Sequence, residues 1–201
     1  MARLRTRWTD KERARSIKDV ASAMSVNLWK VASEALLNLE NENFETTTNA
    51  QRLEVITEFA AFLVHMADRL MYGRYSEEDR GRFVTALALD VIRIIEDNKR
   101  DVLGPGNYRA TLIDRMNRRL EEYAEYPFDE QEGPGFGMRR RLGEYVRDLM
   151  GERDRKWIPD YVIDREAPQA YAQLKRALEN LLAGRVADAP EIPASGVWGE
   201  G

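Results

Sequence analysis

The sequence predicts an all-α protein: a bundle of about five to six helices around a central antiparallel helix hairpin, with a long N-terminal helix. Two observations predict this class. Apolar residues recur at three- and four-residue spacing in successive segments, which is typical of amphipathic helices. No segment alternates polar and apolar residues for long enough to indicate a strand.

The first helix is predicted from Asp10 to about Asn41, where the apolar stripe keeps its phase throughout. Its members are Ile17, Val20, Ala21, Met24, Leu28, Val31, Ala32 and Ala35. At about 1.5 Å per residue, a helix of this extent would reach roughly 45 Å, which exceeds what a small domain needs. We therefore expect an overhanging end or a partner.

The central hairpin is predicted from two strongly apolar segments with a short link. The second helix runs from about Ala50 to Tyr72, and the third begins after Ser76 and continues to about Asn98. The link Gly73 to Tyr75 is short enough to favour antiparallel neighbours. The apolar surface of the second helix is wider than one face, so we expect it to be buried against several helices.

The second half of the chain is predicted to hold three further helices in the same domain. The fourth helix runs from Tyr108 to Tyr126 and is followed by an acidic turn-rich loop at 127–137. The fifth helix runs from Met138 to about Lys156 and ends at Trp157-Ile158-Pro159, and the last helix runs from Pro168 to Ala183. We expect one domain over residues 1–184, with a possible sub-boundary in the 127–137 loop, and a flexible tail over 185–201.

Composition limits the classes of function and location. The 31 basic and 35 acidic side chains leave a net charge of -4, so the chain has no general attraction for phosphate backbones or anionic membranes, and we do not expect nucleic acid as a partner. The absence of cysteine excludes disulfides and thiolate sites. The longest apolar stretch, Phe59 to Met66, is too short to span a bilayer, and the charged start resembles no secretory signal. A cytoplasmic location is expected.

A possible metal site lies on one strip of the second helix. His65 is the only histidine; Glu58 precedes it by seven residues and Asp68 follows it by three, while Asp90 lies on the third helix. Helix bundles build sites for iron, manganese or zinc from such carboxylates and imidazoles on facing helices. A metal-binding bundle is therefore one alternative, although the di-iron pattern requires a Glu-x-x-His on each of two helices.

The other interpretation of these residues is structural, and under it we expect no resident cofactor. The imidazole of His65 would then donate a hydrogen bond to a carboxylate at the rim of the core. Asp68 or Asp90 would pair with an arginine such as Arg69 or Arg93.

A second alternative concerns the first helix. The residues Ile17-Lys18-Asp19-Val20-Ala21, followed by Val26, Asn27 and Val31, resemble the first two helices of repressor-type helix-turn-helix domains of the LacI kind. Ser25 and Asn27 stand where that family has its turn glycine and the hydroxyl residue that opens the recognition helix.

The resemblance implies a DNA-binding regulator in which Leu28, Trp29 and Lys30 begin the groove-facing helix. Met1 to Lys18 holds seven basic and two acidic side chains, which could contact phosphates. The uninterrupted apolar stripe favours a straight helix instead.

Two features suggest contact with a protein partner. Arg139, Arg140 and Arg141 precede Trp157 in a basic segment that suits an acidic partner, although interspersed acids also predict an ion-paired, solvated face. Trp198 lies in the Pro- and Gly-rich tail, where it would act as a docking peptide or fill a groove of its own bundle. We expect a non-enzymatic helical interaction or accessory protein that self-associates as a homo-oligomer or binds a protein partner.

Overall fold

The structure, a computed structural model, describes residues 16–183, which form an all-α bundle with one very short strand pair. The helices are α1 (Ile17–Asn41), α2 (Asn49–Met71), α3 (Glu77–Leu103), α4 (Arg109–Ala124), α5 (Phe136–Leu149), α6 (Ile158–Tyr161) and α7 (Ala167–Leu182). The strands are β1 (Phe128–Asp129) and β2 (Gly133–Pro134), and a π-helical turn (Val162–Glu166) joins α6 to α7. The predicted fold class is confirmed.

Helix α1 begins at Ile17 because Ser16 caps it. The Ser16 Oγ accepts a hydrogen bond from the Asp19 backbone N–H at 3.1 Å, and the Asp19 carboxylate accepts one from the Ser16 backbone N–H at 3.1 Å. The predicted start near Asp10 lies outside the described residues. Within residues 16–183, α1 has 25 residues and α3 has 27.

Helix α1 also runs without interruption through Ser25 and Asn27. Both side chains bond to the helix itself, since the Ser25 hydroxyl donates to the Ser22 carbonyl oxygen and the Asn27 amide donates to that of Ala23. The structure therefore provides no turn where the helix-turn-helix interpretation requires one.

Helix α2 occupies the centre of the bundle and packs against α1, α3, α4, α5 and α7. Its wide apolar surface explains this position, because every residue from Val55 to Ala67 is buried, which covers all sides of the helix over this stretch. Gly73, at φ +74°, turns the chain between α2 and α3, which then pack against each other as predicted.

The main differences from the prediction lie after residue 149, in a segment that contains two prolines. Helix α5 ends at Leu149, well before Lys156, and Pro159 lies in the first turn of α6 instead of ending a helix. Proline is tolerated there because a first-turn N–H has no acceptor within the helix. Pro168 lies further along the same helical run, where its ring would crowd the carbonyl of Asp164. The π-helical turn immediately before α7 widens the helix at this point.

The predicted 127–137 loop contains the antiparallel pair of β1 and β2, in which Phe128 faces Pro134. Two-residue strands are too short to leave a pattern in the sequence. The Tyr171 hydroxyl and the Lys175 ammonium donate to the Glu130 carbonyl oxygen at 3.1 and 2.8 Å and hold the loop against α7.

One cluster of buried apolar side chains extends from α1 to α7. No helix among residues 16–183 is long and apolar enough to cross a membrane.

Candidate functional site

A row of alternating charges links α2, α3, α4 and α5, and we call it the ion-pair chain. Its members are Lys99, Glu54, Arg115, Glu58, Arg119, Glu122, Arg141 and Glu144. Two acids four residues apart on α2 face two arginines four residues apart on α4, and residues at this spacing share one face of a helix. Equal spacing on two neighbouring helices therefore aligns the opposite charges.

Glu58, one of the predicted metal ligands, is buried and bound by Arg119. The Arg119 Nε and Nη2 atoms donate to the two carboxylate oxygens at 2.7 and 3.1 Å, and Arg115 Nη1 lies 3.8 Å from Oε1. A buried carboxylate is stable only when it is paired and hydrogen-bonded. Both oxygens of Glu58 are used by guanidinium groups of α4.

Glu54 lies near one end of the ion-pair chain, between Lys99 and Arg115. It accepts hydrogen bonds from Lys99 of α3 and Arg115 of α4. Partial burial raises the pKa of its carboxyl, but the two cationic donors outweigh that effect and hold the pKa below its usual value. Glu54 is therefore a carboxylate that joins three helices.

Aromatic rings pack against Arg119 and Arg141 of the ion-pair chain. The Arg119 guanidinium lies 3.4 Å from the ring centroid of Tyr145, and that of Arg141 lies 4.5 Å from it. Tyr123 packs edge-on against Tyr145, and burial raises the pKa of its hydroxyl well above the usual value. These contacts fix α4 against α5.

His65 is 2% exposed and lies beside the Tyr123 ring. Its Nε2 accepts a hydrogen bond from Arg69 Nε at 3.2 Å, so the expectation that the imidazole donates to a carboxylate is not what the structure shows. Burial, reinforced by the Arg69 charge, lowers the pKa of His65 to about 4. The imidazole is therefore neutral at pH 7.

The two remaining predicted metal ligands pair with arginines. Asp68 Oδ1 accepts from Arg80 Nη1 at 2.6 Å, and Asp90 lies 3.7 Å from Arg93. Within residues 16–183 there is no group of three or more His, Asp or Glu side chains that could hold a metal ion.

The predicted partner-binding arginines make contacts within the chain. Arg139 Nη1 donates at 2.7 Å to the Ile163 carbonyl oxygen, which belongs to the π-helical turn. Arg140 and Arg141 bind Glu144 at 3.0 and 3.2 Å, as expected of an ion-paired face. Trp157 is 60% exposed, with the Lys156 ammonium 4.6 Å from its ring centroid. Trp198 lies outside the described residues.

Sequence reasoning missed Glu166, the last residue of the π-helical turn. It is 2% exposed, and its Oε1 accepts from Asn38 Nδ2 of α1 at 3.2 Å. Burial raises the pKa of its carboxyl to about 7, partly offset by the Asn38 hydrogen bond and reinforced by Glu34. Glu166 follows Asp164 and Arg165, and a run of charged residues predicts an exposed segment instead of a buried one. Arg115 and Arg119 were also missed, although their four-residue spacing matches that of Glu54 and Glu58.

An apolar surface lies between α1, α2 and α3, where a groove of about 240 Å³ opens to solvent. Its apolar lining comes from Trp29, Leu36, Leu37, Leu53, Ile56 and Val102. Leu37 is 45% exposed at the edge of this groove, and Val26, on the outward face of α1, is 49% exposed. Val26 and Leu37 thus present apolar side chains to solvent on the same side of α1 as the exposed charges Lys30 and Glu34.

No protein-family model matches the sequence, and no curated protein or solved structure matches the chain. The described residues themselves present two kinds of surface. The charges of the ion-pair chain bind helices of the bundle to one another, whereas the outward side of α1 offers apolar side chains and a groove.

Proposed function

We propose that this chain is a non-enzymatic helical interaction protein that associates with itself. The exposed apolar side chains of α1, Val26 and Leu37, together with the adjoining groove, carry this proposal. Contact with a second protein would remove this apolar area from water, which is the main driving force of association.

The shape of the groove supports the same proposal. It is concave and mostly apolar, and polar side chains such as Ser33 and Asn98 lie among its lining residues. An apolar side chain from a partner that enters such a groove is shielded from water, which is how the central contacts of protein interfaces gain their energy.

The ion-pair chain supports it in a different way. Its arginines and glutamates bind α2, α3, α4 and α5 to one another, so this part of the bundle acts as a scaffold. Helix α1 packs against α2 and α3 of this scaffold, and a fixed orientation of α1 lowers the entropy lost on binding.

Analytical ultracentrifugation of the full chain over a wide range of micromolar concentrations tests the proposal. We expect the mass to rise from the 23.2 kDa of one chain toward twice that value as concentration increases. The apolar contribution to association should persist at high salt, because apolar contacts are not screened. A mass of one chain at every concentration would contradict self-association.

A matched pair of variants tests whether the apolar face of α1 is responsible. Leu37→Asn should weaken association by about tenfold, since it removes an apolar contact. Leu89→Asn is the control, because Leu89 is similarly exposed but lies on α3 away from the groove. Equal effects of the two variants would place the association elsewhere.

A further inference from the structure

The outward face of α1 shows a symmetrical order of side chains. Val26, Lys30, Glu34 and Leu37 are all exposed and follow one another at spacings of four, four and three residues, which places them on one side of the helix. The two outer positions of this row, Val26 and Leu37, are apolar, and the two central positions, Lys30 and Glu34, are charged. The two charges are opposite in sign.

This row of side chains is complementary to the same row on a second copy that runs in the opposite direction. In an antiparallel second copy, Val26 lies opposite Leu37 and Lys30 lies opposite Glu34. The midpoint of Val26 and Leu37 falls within one residue of the midpoint of Lys30 and Glu34, so one register aligns all four pairs. Isologous dimers require such a self-complementary patch.

A parallel arrangement in the same register has the opposite result. It would place Lys30 against Lys30 and Glu34 against Glu34, and like charges in contact oppose association. The charge order therefore selects the antiparallel orientation.

The contacts of α1 with α7 and α3 show on which side of the exposed face each side chain lies. Gln173 of α7 donates to Glu34 Oε1 at 3.1 Å, which places this carboxylate on the α7 side of the face. Leu37 lines the groove together with Val102 and Asn98 of α3, which places it on the α3 side. In an antiparallel dimer the two-fold axis lies in the plane of contact and is perpendicular to α1. The α7 side of one copy then faces the α7 side of the other, and the α3 sides face each other in the same way. Charged side chains therefore meet charged ones, and apolar side chains meet apolar ones.

We propose that two copies of this chain pair through their α1 helices in antiparallel orientation. Lys30 of each copy contacts Glu34 of the other, and Val26 of each contacts Leu37 of the other. This inference rests on the proposed self-association and specifies the surface and geometry that produce it.

Charge reversal tests the pairing. Lys30→Glu alone and Glu34→Lys alone should each weaken self-association by about 10- to 100-fold, because the two-fold axis turns two attractive contacts into two repulsive ones. The double variant Lys30→Glu/Glu34→Lys should restore association, since its order is again self-complementary. A mixture of the two single variants should form a heterodimer, with unlike charges facing at every position.

Arg118→Glu and Glu121→Lys are the matched controls, because both residues are exposed on α4. They should leave the association constant unchanged. Circular dichroism and melting temperature of each variant separate loss of association from loss of fold, and recovery in the double variant makes the same distinction.

The absence of cysteine permits a direct test of orientation. Val26→Cys mixed with Leu37→Cys should form a disulfide-linked pair on mild oxidation. Val26→Cys alone should not, because its two copies would lie about 16 Å apart along the helix axis, beyond the reach of a disulfide.

The outcomes separate this inference from the proposed function. If the wild-type chain stays monomeric, self-association itself is wrong, and the pairing falls with it. If the wild-type chain associates but Lys30→Glu and Glu34→Lys associate equally well, or if Val26→Cys links to itself, only the antiparallel α1 pairing is overturned.

Discussion

Glu166 combines a side chain that is 2% exposed with a carboxylate oxygen, Oε2, that has no hydrogen-bond partner among residues 16–183. A protonated carboxyl is the form that suits this environment, because an unpaired buried charge is far more expensive than a neutral group. His65 is the opposite case, since burial and Arg69 favour its neutral, deprotonated form. Both side chains contribute to stability through their protonation state.

Glu166 should make the chain less stable as the pH rises. Its pKa is about 7 in the folded chain against 4.5 as the usual value, so the folded state binds the proton more tightly. The contribution is fully present below about pH 4.5 and lost by about pH 7, with a total of up to about 3 kcal/mol. Glu166→Gln mimics the protonated form and should be more stable than wild type in urea unfolding at about pH 8.

Near pH 5 the Glu166→Gln variant and wild type should unfold at similar urea concentrations, since wild-type Glu166 is then protonated. The amide oxygen that this substitution introduces can still accept the hydrogen bond that Asn38 donates to Glu166 in the wild-type chain. A variant less stable than wild type at both pH values would show that the folded chain prefers the ionised carboxylate.

His65 should make the chain less stable as the pH falls. Its folded pKa of about 4 lies below the usual 6.5, so the unfolded chain binds the proton more tightly. The contribution is fully present above about pH 6.5 and lost by about pH 4, with a total of about 3 kcal/mol. His65→Gln cannot titrate, so as the pH falls from about 7 to 4 its stability should rise relative to that of wild type by about 3 kcal/mol. A difference between the two proteins that does not change with pH would assign the acid sensitivity to other groups.

Which of these residues could be predicted depended on whether their partners lie on the same helix. The strip holding Glu58, His65 and Asp68 follows from helical spacing on α2 alone. The partner of Glu58 does not, because Arg119 is 61 positions away and its approach depends on how α4 packs. The burial of Glu166 was not predictable either, since it depends on the packing of α1 against α7.

Elements with a continuous apolar period and a clear cap were predicted best. Ser76 caps α3 as expected, and its side chain accepts from the Asp79 backbone N–H. The segment after Leu149 was predicted less well, because a proline can end one helix or begin the next. The π-helical turn lies just before Pro168, within one continuous helical segment from α6 to α7. The sequence pattern around such a proline is the same as that of two separate helices, so the turn could not be predicted.

Two helical glycines provide a test of how closely the elements pack. A Cβ added to Gly143 on α5 would lie 3.2 Å from both Cα and O of Pro159, whereas one added to Gly81 on α3 meets no atom of residues 16–183 within 4 Å. Alanine favours a helix over glycine by about 1 kcal/mol. Gly81→Ala should therefore raise the free energy of unfolding by about that amount, and Gly143→Ala should lower it.

Urea unfolding of the two glycine variants at one pH makes this comparison. If Gly143→Ala were stabilised as much as Gly81→Ala, the backbone of α6 would be able to move away from α5 at little cost.

In the molecule as a whole, Glu166 and His65 make opposing contributions. Between about pH 4.5 and 6.5, each changes the free energy of unfolding by about 1.4 kcal/mol per pH unit, with opposite signs. Their sum is therefore nearly constant over this range, and the bundle should tolerate mild acid although it buries two ionisable groups.

This cancellation is tested by comparing four proteins. Wild type and the double variant Glu166→Gln/His65→Gln should have similarly flat stability profiles between about pH 4.5 and 6.5. Stability should rise with pH in Glu166→Gln and fall with pH in His65→Gln. Slopes of the same sign in the two single variants would contradict opposing proton linkage.

The pairing of Glu58 with Arg119 also limits how this chain can evolve. Loss of either residue alone leaves the other as a buried charge without its main partner, which typically costs about 3–5 kcal/mol. Replacement of both by apolar residues of similar volume is often neutral. Natural selection would therefore accept changes at these two positions together and reject them singly, so that in related chains α2 and α4 would keep or lose their facing charges as a unit.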